Sequence, residues 1–397
     1  MSNEDANAAS QGARRRRPRR TASLACPRRV GTGKACTDDK SCTVGAFAGG
    51  VSVKGSRWAR ANLLAIATSK FYGLGSQTVP GGRMKAVTVE KLGGPEGLVL
   101  GEVADPVARA GEVVVAVEAS GVGLVDVFQR RGQFPGFDRP GFVPGAEVAG
   151  RVIDAGPGVA REWMGKHVFA LVRTGGYAQR VAVDPGQLIP VPSGLSSVEA
   201  VALGINGLVA KFSLLRAGLR PGERLLVRGA GGGIGLSVVQ LAVLEGARVT
   251  ALTTAARARQ LADLGVESVI VRQAGTDVPG GFDIIIDPVA GPELGTFLQK
   301  LRPNGRYVIN GVAAGFPTPD FGMGLLANFA KSPVLCLLSL DSMGPAELAE
   351  AGQALFGLAV TRKLVPRVGR TFRLEEAARA HEVLEDGQVL GKIVLLA

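Results

Sequence analysis

Histidine occurs twice in these 397 residues and cysteine four times. Three of the cysteines, Cys26, Cys36 and Cys42, fall within the first 83 residues, so the remaining body has only Cys336. An internal disulfide is thereby excluded from the body, which fits a reducing, cytoplasmic compartment. His167 and His381 are too isolated to form a histidine-rich metal cluster, and both read as structural residues, one on a strand and one on a closing helix. Aromatics make up 5% of the chain, so aliphatic side chains must fill the core, and a hydrophobic content of 46% suffices for that. The apolar stretch 61–67 is too short for a secretory core or a membrane span, and no membrane attachment is expected.

The net charge of +12 is unevenly placed. Residues 1–83 hold 15 Lys+Arg against 4 Asp+Glu, leaving 31 and 30 after them, a nearly neutral body. The leader carries Arg14, Arg15, Arg16, Arg17, Arg19 and Arg20 in one cluster and no sustained hydrophobic period. It reads as disordered. Three readings stay open: sequence upstream of a true start at Met84, an Arg-rich targeting segment, or a basic arm that touches nucleic-acid phosphates. Nucleic acid is expected as a partner only through this leader.

From Met84 onward short strands are expected at 85–89, 111–119, 146–153 and 167–172, separated by Gly and Pro. A β-rich partial barrel over about 84–200 follows. Strands at 224–227, 248–252, 269–271, 282–286 and 306–309 then alternate with helices at 236–244, 257–264 and 292–301. Continuous apolar strands alternating with helices predict a parallel sheet covered on both faces. A helix at 346–356, a strand near Val365, a helix at 374–384 and a strand at 392–396 close the chain.

The strongest local signal is Ala230-Gly231-Gly232-Gly233-Ile234-Gly235, between the strand at 224–227 and the helix that follows. Strand, glycine turn and helix together are the context that a dinucleotide fingerprint requires, with Gly232 admitting the pyrophosphate and Gly235 allowing close helix packing. Helix N–H groups and the positive dipole end would hold the phosphates. The next strand ends in Thr253, Thr254, Arg257 and Arg259 with no acid. An NAD site usually places Asp or Glu there for the ribose hydroxyls. Hydroxyls and arginines, with Arg272 after the third strand, suit a 2′-phosphate instead. NADPH is therefore the expected cofactor.

The body resembles the medium-chain dehydrogenase/reductase superfamily, in its zinc-independent quinone oxidoreductase branch. The likeness runs from Met84 to Ala397 and is carried by Met84-Lys-Ala-Val, Ala119-Ser-Gly-Val-Gly123-Leu-Val-Asp126, Pro144-Gly-Ala146-Glu147, Gly175-Gly-Tyr177, Asn206-Gly-Leu-Val, Asp287-Pro-Val, Asn310-Gly311, Ala380-His381-Glu and Gly391-Lys392-Ile-Val-Leu. It implies an α/β protein with a GroES-like β-rich catalytic domain (84–205 and 340–397) and a Rossmann doubly wound parallel-sheet domain (206–339). Cofactor contacts are then implied at Asn206, Val209, the turn Ala230, Gly231, Gly232, Gly233, Ile234 and Gly235, then Thr253, Thr254, Arg257, Arg272, Val289, Asn310, Gly311, Val312 and Lys392. Homodimers are common in the family, and a homodimer is expected here.

Zinc members of the superfamily use Cys, His and a carboxylate. Here Gly123 and Ala146 stand where the first two would be, Glu147 remains alone, and no metal is expected. Without a Lewis acid the chemistry favours electron-poor acceptors, quinones or enones, with the protein supplying orientation and proximity. Relatives often place tyrosines beyond the nicotinamide block, and this chain has Phe128 and Phe134. Gly123, Phe128, Arg130, Gln133 and Phe134 are the candidate substrate-pocket residues, with Arg130 and Gln133 the polar groups expected to meet a substrate oxygen. Two other readings stay open: an enoyl-thioester reductase of a biosynthetic pathway, and a non-catalytic NADPH-binding redox sensor or RNA-binding protein.

Overall fold

The computed structural model describes residues 82–273, 275–387 and 389–397. Apart from Gly82 and Arg83, the leader and its three cysteines lie outside the described residues. Arg83 already belongs to the first described strand, one residue ahead of Met84.

The chain opens with the hairpin β1 (Arg83–Val89) and β2 (Leu98–Ala104), paired antiparallel. Next come β3 (Val113–Val122), α1 (Leu124–Arg130), β4 (Glu147–Ala155), β5 (His167–Leu171), β6 (Arg180–Val183) and β7 (Leu188–Pro190). Val113, Val115 and Val117 of β3 pack with Val148, Val152 and Val168 of the neighbouring strands. Alternating β-branched residues thus face one core, as the pleat demands.

A long helix, α2 (Ser197–Ala217), leaves this sheet. Its start is a capping box: Glu199 N–H donates to Ser196 Oγ at 3.2 Å and Ser196 N–H donates to Glu199 Oε2 at 3.0 Å. Gly218 ends it at φ +59°, the left-handed cap that glycine adopts without steric cost. By length and composition α2 could cross a membrane, yet 72% of its apolar window is buried inside the fold. It is broken at Gly204 (φ −16°, ψ −109°), where any Cβ would collide with the Phe169 ring and the Glu147 carboxylate.

The parallel layer follows: β8 (Arg224–Arg228), α3 (Gly233–Leu244), β9 (Arg248–Thr253), α4 (Ala255–Ala262), β10 (Ser268–Val271), β11 (Phe282–Asp287), α5 (Leu294–Leu298), β12 (Leu301–Ile309), α6 (Gly322–Ala327) and β13 (Val334–Leu337). Its six strands lie in the order β10-β9-β8-β11-β12-β13, all parallel. The order reverses between β8 and β11, and ligands of open α/β sheets bind at such a switch point. β11 is buried along its whole length, with Ile284 and Ile286 in one core cluster and Ile285 in another.

The chain then returns through α7 (Pro345–Val360), β14 (Val368–Arg373), α8 (Ala377–Glu385) and β15 (Lys392–Leu396). β15 pairs antiparallel with β3 and rejoins the first sheet, whose order is β14-β15-β3-β4-β5-β7 with β6 on β3.

Two expected elements are corrected. The helix expected at 292–301 shrinks to α5, and Leu301 already opens β12 through Asn304 at φ +59°. The strand expected near Val365 begins at Val368 instead. The backbone of Val365 is clasped by the Gln240 side chain, which accepts from its N–H at 2.9 Å and donates to its carbonyl at 3.2 Å, so it needs no strand partner.

Candidate functional site

The turn after β8 is built by glycines that each solve a different steric problem. Gly229, unnoticed in the sequence, takes φ +59° and makes the turn itself. A Cβ on Gly231 would lie 2.9 Å from Thr253 Oγ1 and run into the Arg257 side chain. A Cβ on Gly233 would lie 2.7 Å from Asn206 Cγ, and one on Gly235 would lie 2.8 Å from Ala230 Cα. Gly232 is the N-cap of α3 with no side-chain cap, so the helix start offers backbone N–H groups and a positive dipole end to an anion. Ala230 is fully buried and Ile234 partly buried on the same turn.

Beside this turn stand the groups expected for a 2′-phosphate. Thr253 is buried and Thr254 half-buried at the end of β9. Arg257 is half-buried, makes no ion pair among the described residues, and leaves Nε without a hydrogen-bond partner. Its Nη2 donates to the Gly387 carbonyl. Burial lowers its pKa from the usual arginine value. A buried guanidinium with no counter-charge is costly unless an anion joins it. Arg272 also reaches this strand end through its backbone N–H, which donates to the Thr253 carbonyl at 2.7 Å, but its side chain is exposed. Gly391 lies in register with Gly232, so the segment before β15 covers the glycine turn.

The ends of β11 and β12 meet the turn from the other side. Asp287 is fully buried: one oxygen accepts from the Val289 and Ala290 N–H groups at 2.8 and 2.9 Å. The other accepts from Arg228 at 2.6 Å and from the Tyr307 hydroxyl at 2.5 Å. Arg228 also lies 3.8 Å over the Phe297 ring. All four lone-pair directions of the carboxylate are thus used, and they hold the 288–291 turn against Gly229, whose Cβ would meet Val289. Removing one partner of such a buried pair costs about 3–5 kcal/mol. Asn310 Nδ2 donates to Ser213 Oγ at 2.8 Å, while its Oδ1 is buried and unpartnered among the described residues, an acceptor fit for an amide. Ser213 in turn donates to the Val209 carbonyl at 2.6 Å, joining Val209 on α2 to Asn310 and Gly311. Val312 packs on the adjoining core cluster.

Across the turn lies the floor of the first sheet. Lys392 Nζ pairs with Glu147 Oε1 at 2.5 Å, both side chains buried. The place of a Cβ on Gly123 is 3.6 Å from Lys392 Nζ and 3.7 Å from Asp126 Oδ2. Lys392 therefore belongs to the cleft floor as well as to the segment over the glycine turn. Glu147 Oε2 accepts from the Ile205 N–H at 2.8 Å, a donor freed by the break at Gly204. Among the described residues no three His, Cys, Asp or Glu side chains converge as a metal site.

The expected substrate groups divide. Gly123 is half-buried at the start of α1, and Phe128 is half-buried. Phe134 stands edge-on to Phe137 at 5.9 Å, and Phe137 to Phe142 at 4.9 Å. Arg130 is corrected: its side chain is fully buried and pairs through Nη2 with Glu385 at 2.8 Å, so it presents no surface to a substrate oxygen. Gln133 is exposed and lines an open groove of about 600 Å³ with Arg130, Arg131 and Glu385. No local pattern along the chain marks Asp126, Tyr177 and His381 as partners, since the tyrosine lies 51 residues from the first and 204 from the last, yet they form one buried cluster.

Residues 109–193 match the alcohol dehydrogenase GroES-like domain family and residues 258–395 the zinc-binding dehydrogenase family. The chain is 29% identical over 326 residues to a phenolphthiocerol/phthiocerol polyketide synthase polypeptide of Mycobacterium tuberculosis, covering 79% of this chain but spanning only 14% of that protein. It is 29% identical to the Mus musculus quinone oxidoreductase (79% of this chain, 98% of the relative). It is also 29% identical to the Metallosphaera sedula acryloyl-coenzyme A reductase (79% and 99%). Among solved structures, a probable oxidoreductase from Mycobacterium abscessus is 32% identical over 80% of this chain and 99% of that one, TM-score 0.68. Mycobacterial Rv1454c complexed with NADPH is 29% identical over 79% and 100%, TM-score 0.73. Sheet order, glycine turn and these likenesses agree: the chain belongs to the medium-chain dehydrogenase/reductase superfamily, in its quinone oxidoreductase-like branch.

Proposed function

We propose that this protein is a zinc-independent, NADPH-dependent oxidoreductase that reduces the conjugated carbonyl of a quinone or an enone. The observation that carries the reading is Arg257, half-buried and without a counter-charge among the described residues, beside Gly231 and Thr253, where a 2′-phosphate would complete it. When bound, NADPH supplies the hydride. The start of α3 would hold the pyrophosphate and Asn310 Oδ1 the carboxamide, and the Lys392 ammonium, beside Gly123, would meet negative charge developing on a substrate oxygen. Gly123 and Ala146 carry no metal-binding atom, and Glu147 is engaged by Lys392, which supports chemistry without zinc. Purified protein is expected to oxidise NADPH with quinones or enones, to prefer it over NADH in kcat/KM, and to keep its activity in a chelator. Equal use of NADH, or zinc at one ion per chain with loss of activity on its removal, would overturn the reading. The likeness to an acryloyl-coenzyme A reductase supports a second substrate class, enoyl thioesters. Turnover of an enoyl-CoA without turnover of quinones would favour it.

The same reading includes a homodimer and a cytoplasmic setting, the latter supported by Cys336, a free thiol among the described residues. β13 is the edge strand of its sheet; Leu337 on it is 75% exposed, and Met323, Leu326 and Phe329 (80%) in the segment that leads into it are exposed as well. An apolar, unpaired edge is normally covered, and a second copy covers it by two-fold symmetry. Leu337→Lys is expected to shift the sedimentation of the protein from dimer to monomer. A wild-type chain that sediments as a monomer would refute the dimer.

A further inference from the structure

Reduction of a conjugated carbonyl leaves an oxygen that must take up a proton, and Phe128 and Phe134 have none to give. A line of buried polar side chains leads away from Gly123 instead. Asp126 Oδ2 accepts from the Gly123 N–H at 2.8 Å and from the Tyr177 hydroxyl at 3.3 Å. The same hydroxyl lies 3.0 Å from His381 Nε2. His381 stands in the field of Arg130, which pairs with Glu385 at the wall of the surface groove. Asp126 Oδ1, His381 Nδ1 and both Nε and Nη1 of Arg130 are buried without a hydrogen-bond partner among the described residues. Leaving such groups unpaired costs about 1–3 kcal/mol each, so four such atoms in one cluster need an explanation beyond packing.

We propose that Asp126 is the proton donor of the reaction and that Tyr177 and His381 refill it from solvent in the Arg130–Glu385 groove, a role that rests on the conjugated-carbonyl reading above. In the donating step the Asp126 O–H bond breaks, its electron pair stays on the carboxylate, and a new O–H bond forms on the reduced substrate. In the refilling step a solvent proton bonds His381 Nδ1, the proton on Nε2 passes to Tyr177, and the Tyr177 proton passes to Asp126. Three bonds form and three break, and the imidazole begins and ends neutral. The line is reset when the ring turns and solvent exchanges its proton, the N–H bond at Nδ1 breaking and one at Nε2 forming. Asp126 is faced by Lys392, Glu147 and Tyr177; the first two form an ion pair, in which Glu147 offsets only part of the pull of Lys392. Tyr177 is faced by Asp126, Glu147 and Arg130, and His381 by Arg130 and Tyr177. Burial holds the Asp126 carboxyl up at about 6, within reach of a donor at neutral pH, and burial with Arg130 holds His381 down at about 3, so a proton crosses the ring without staying.

Tyr177→Phe keeps the ring and cuts the line. In rapid-mixing experiments with NADPH and an enone its first turnover is expected at the wild-type rate and later turnovers about 10²-fold slower, whereas Asp126→Asn is slow from the first. NADPH affinity is expected to stay unchanged in both. A merely structural tyrosine would slow every turnover alike, and that result, or no slowing at all, overturns the relay. If Tyr177→Phe fails to fold, His381→Gln carries the same test. Should wild-type protein bind NADPH but reduce no conjugated carbonyl, the functional reading fails by itself. The infrared band of a protonated carboxyl, present in wild type at mildly acidic pH and absent from Asp126→Asn, then decides the donor separately, and a band that survives in the variant rejects Asp126.

Discussion

Alanine at position 257 is expected to raise the dissociation constant for NADPH by about 10²-fold and to leave that for NADH within about twofold. Arg257 reaches the turn at Gly231 and the end of β9 at Thr253, and it brings a half-buried guanidinium with one unpartnered nitrogen. A hydrogen bond to a charged group contributes about 1.5–3 kcal/mol, and each 1.4 kcal/mol is a factor of ten in affinity. The side chain makes no ion pair among the described residues, so its loss leaves no partner charge behind and little effect on stability is expected. Fluorescence titration of both cofactors checks the split. Equal weakening of the two would move Arg257 to the shared pyrophosphate, and no change in either would move the 2′-phosphate toward Arg272.

Asparagine at position 126 is expected to alter how stability responds to pH. Burial raises the Asp126 carboxyl from 3.8 to about 6, with Lys392 pulling the other way. Burial, reinforced by Arg130, lowers His381 from 6.5 to about 3. Between about pH 6 and about pH 4 the folded chain takes up a proton at Asp126 that the unfolded chain does not yet bind, which stabilises the fold. Over the same window the unfolded chain binds a proton on this histidine that the folded chain refuses, which destabilises it. At about 1.4 kcal/mol per pH unit each contribution reaches about 3 kcal/mol, and the two nearly cancel. In Asp126→Asn only the histidine contribution survives, so stability relative to wild type falls by about 3 kcal/mol over that window in urea unfolding. His381→Asn is expected to move the opposite way by a similar amount. A difference between Asp126→Asn and wild type that stays constant with pH would mean that this carboxyl titrates as an ordinary surface acid.

The parts of this protein that can be read from sequence are those with a local signal. β8, its glycine turn and α3 are legible because apolar run, turn residues and helix follow one another within 21 residues, Arg224–Leu244. β15 is placed at its observed bounds, because five apolar-rich residues follow a glycine. α2 escapes such a reading although Ser196, Glu199 and Gly218 mark its ends, since the apolar stretch between them lacks a polar face. β13 escapes it because four residues at a sheet edge are too few for a period and half exposed. The cluster of Asp126, Tyr177, His381 and Arg130 has no local signature: it exists only after α1, the chain near β6 and α8 are folded together. Arg130 is misread as a substrate group for the same reason, because its partner Glu385 lies 255 residues away.

The break at Gly204 has a mechanical consequence. The first half of α2 is fastened to the β-rich layer, where Ser197 donates to Glu118 at 2.5 Å and lies 2.6 Å from His167. The second half is fastened to the parallel layer, where Arg306 donates to the Ala217 carbonyl and Asn310 to Ser213, both at 2.8 Å. A continuous helix would weld the two layers into one beam. Interrupted at one peptide, where Glu147 takes up the freed Ile205 N–H, it is two shorter rods instead, each anchored in its own layer.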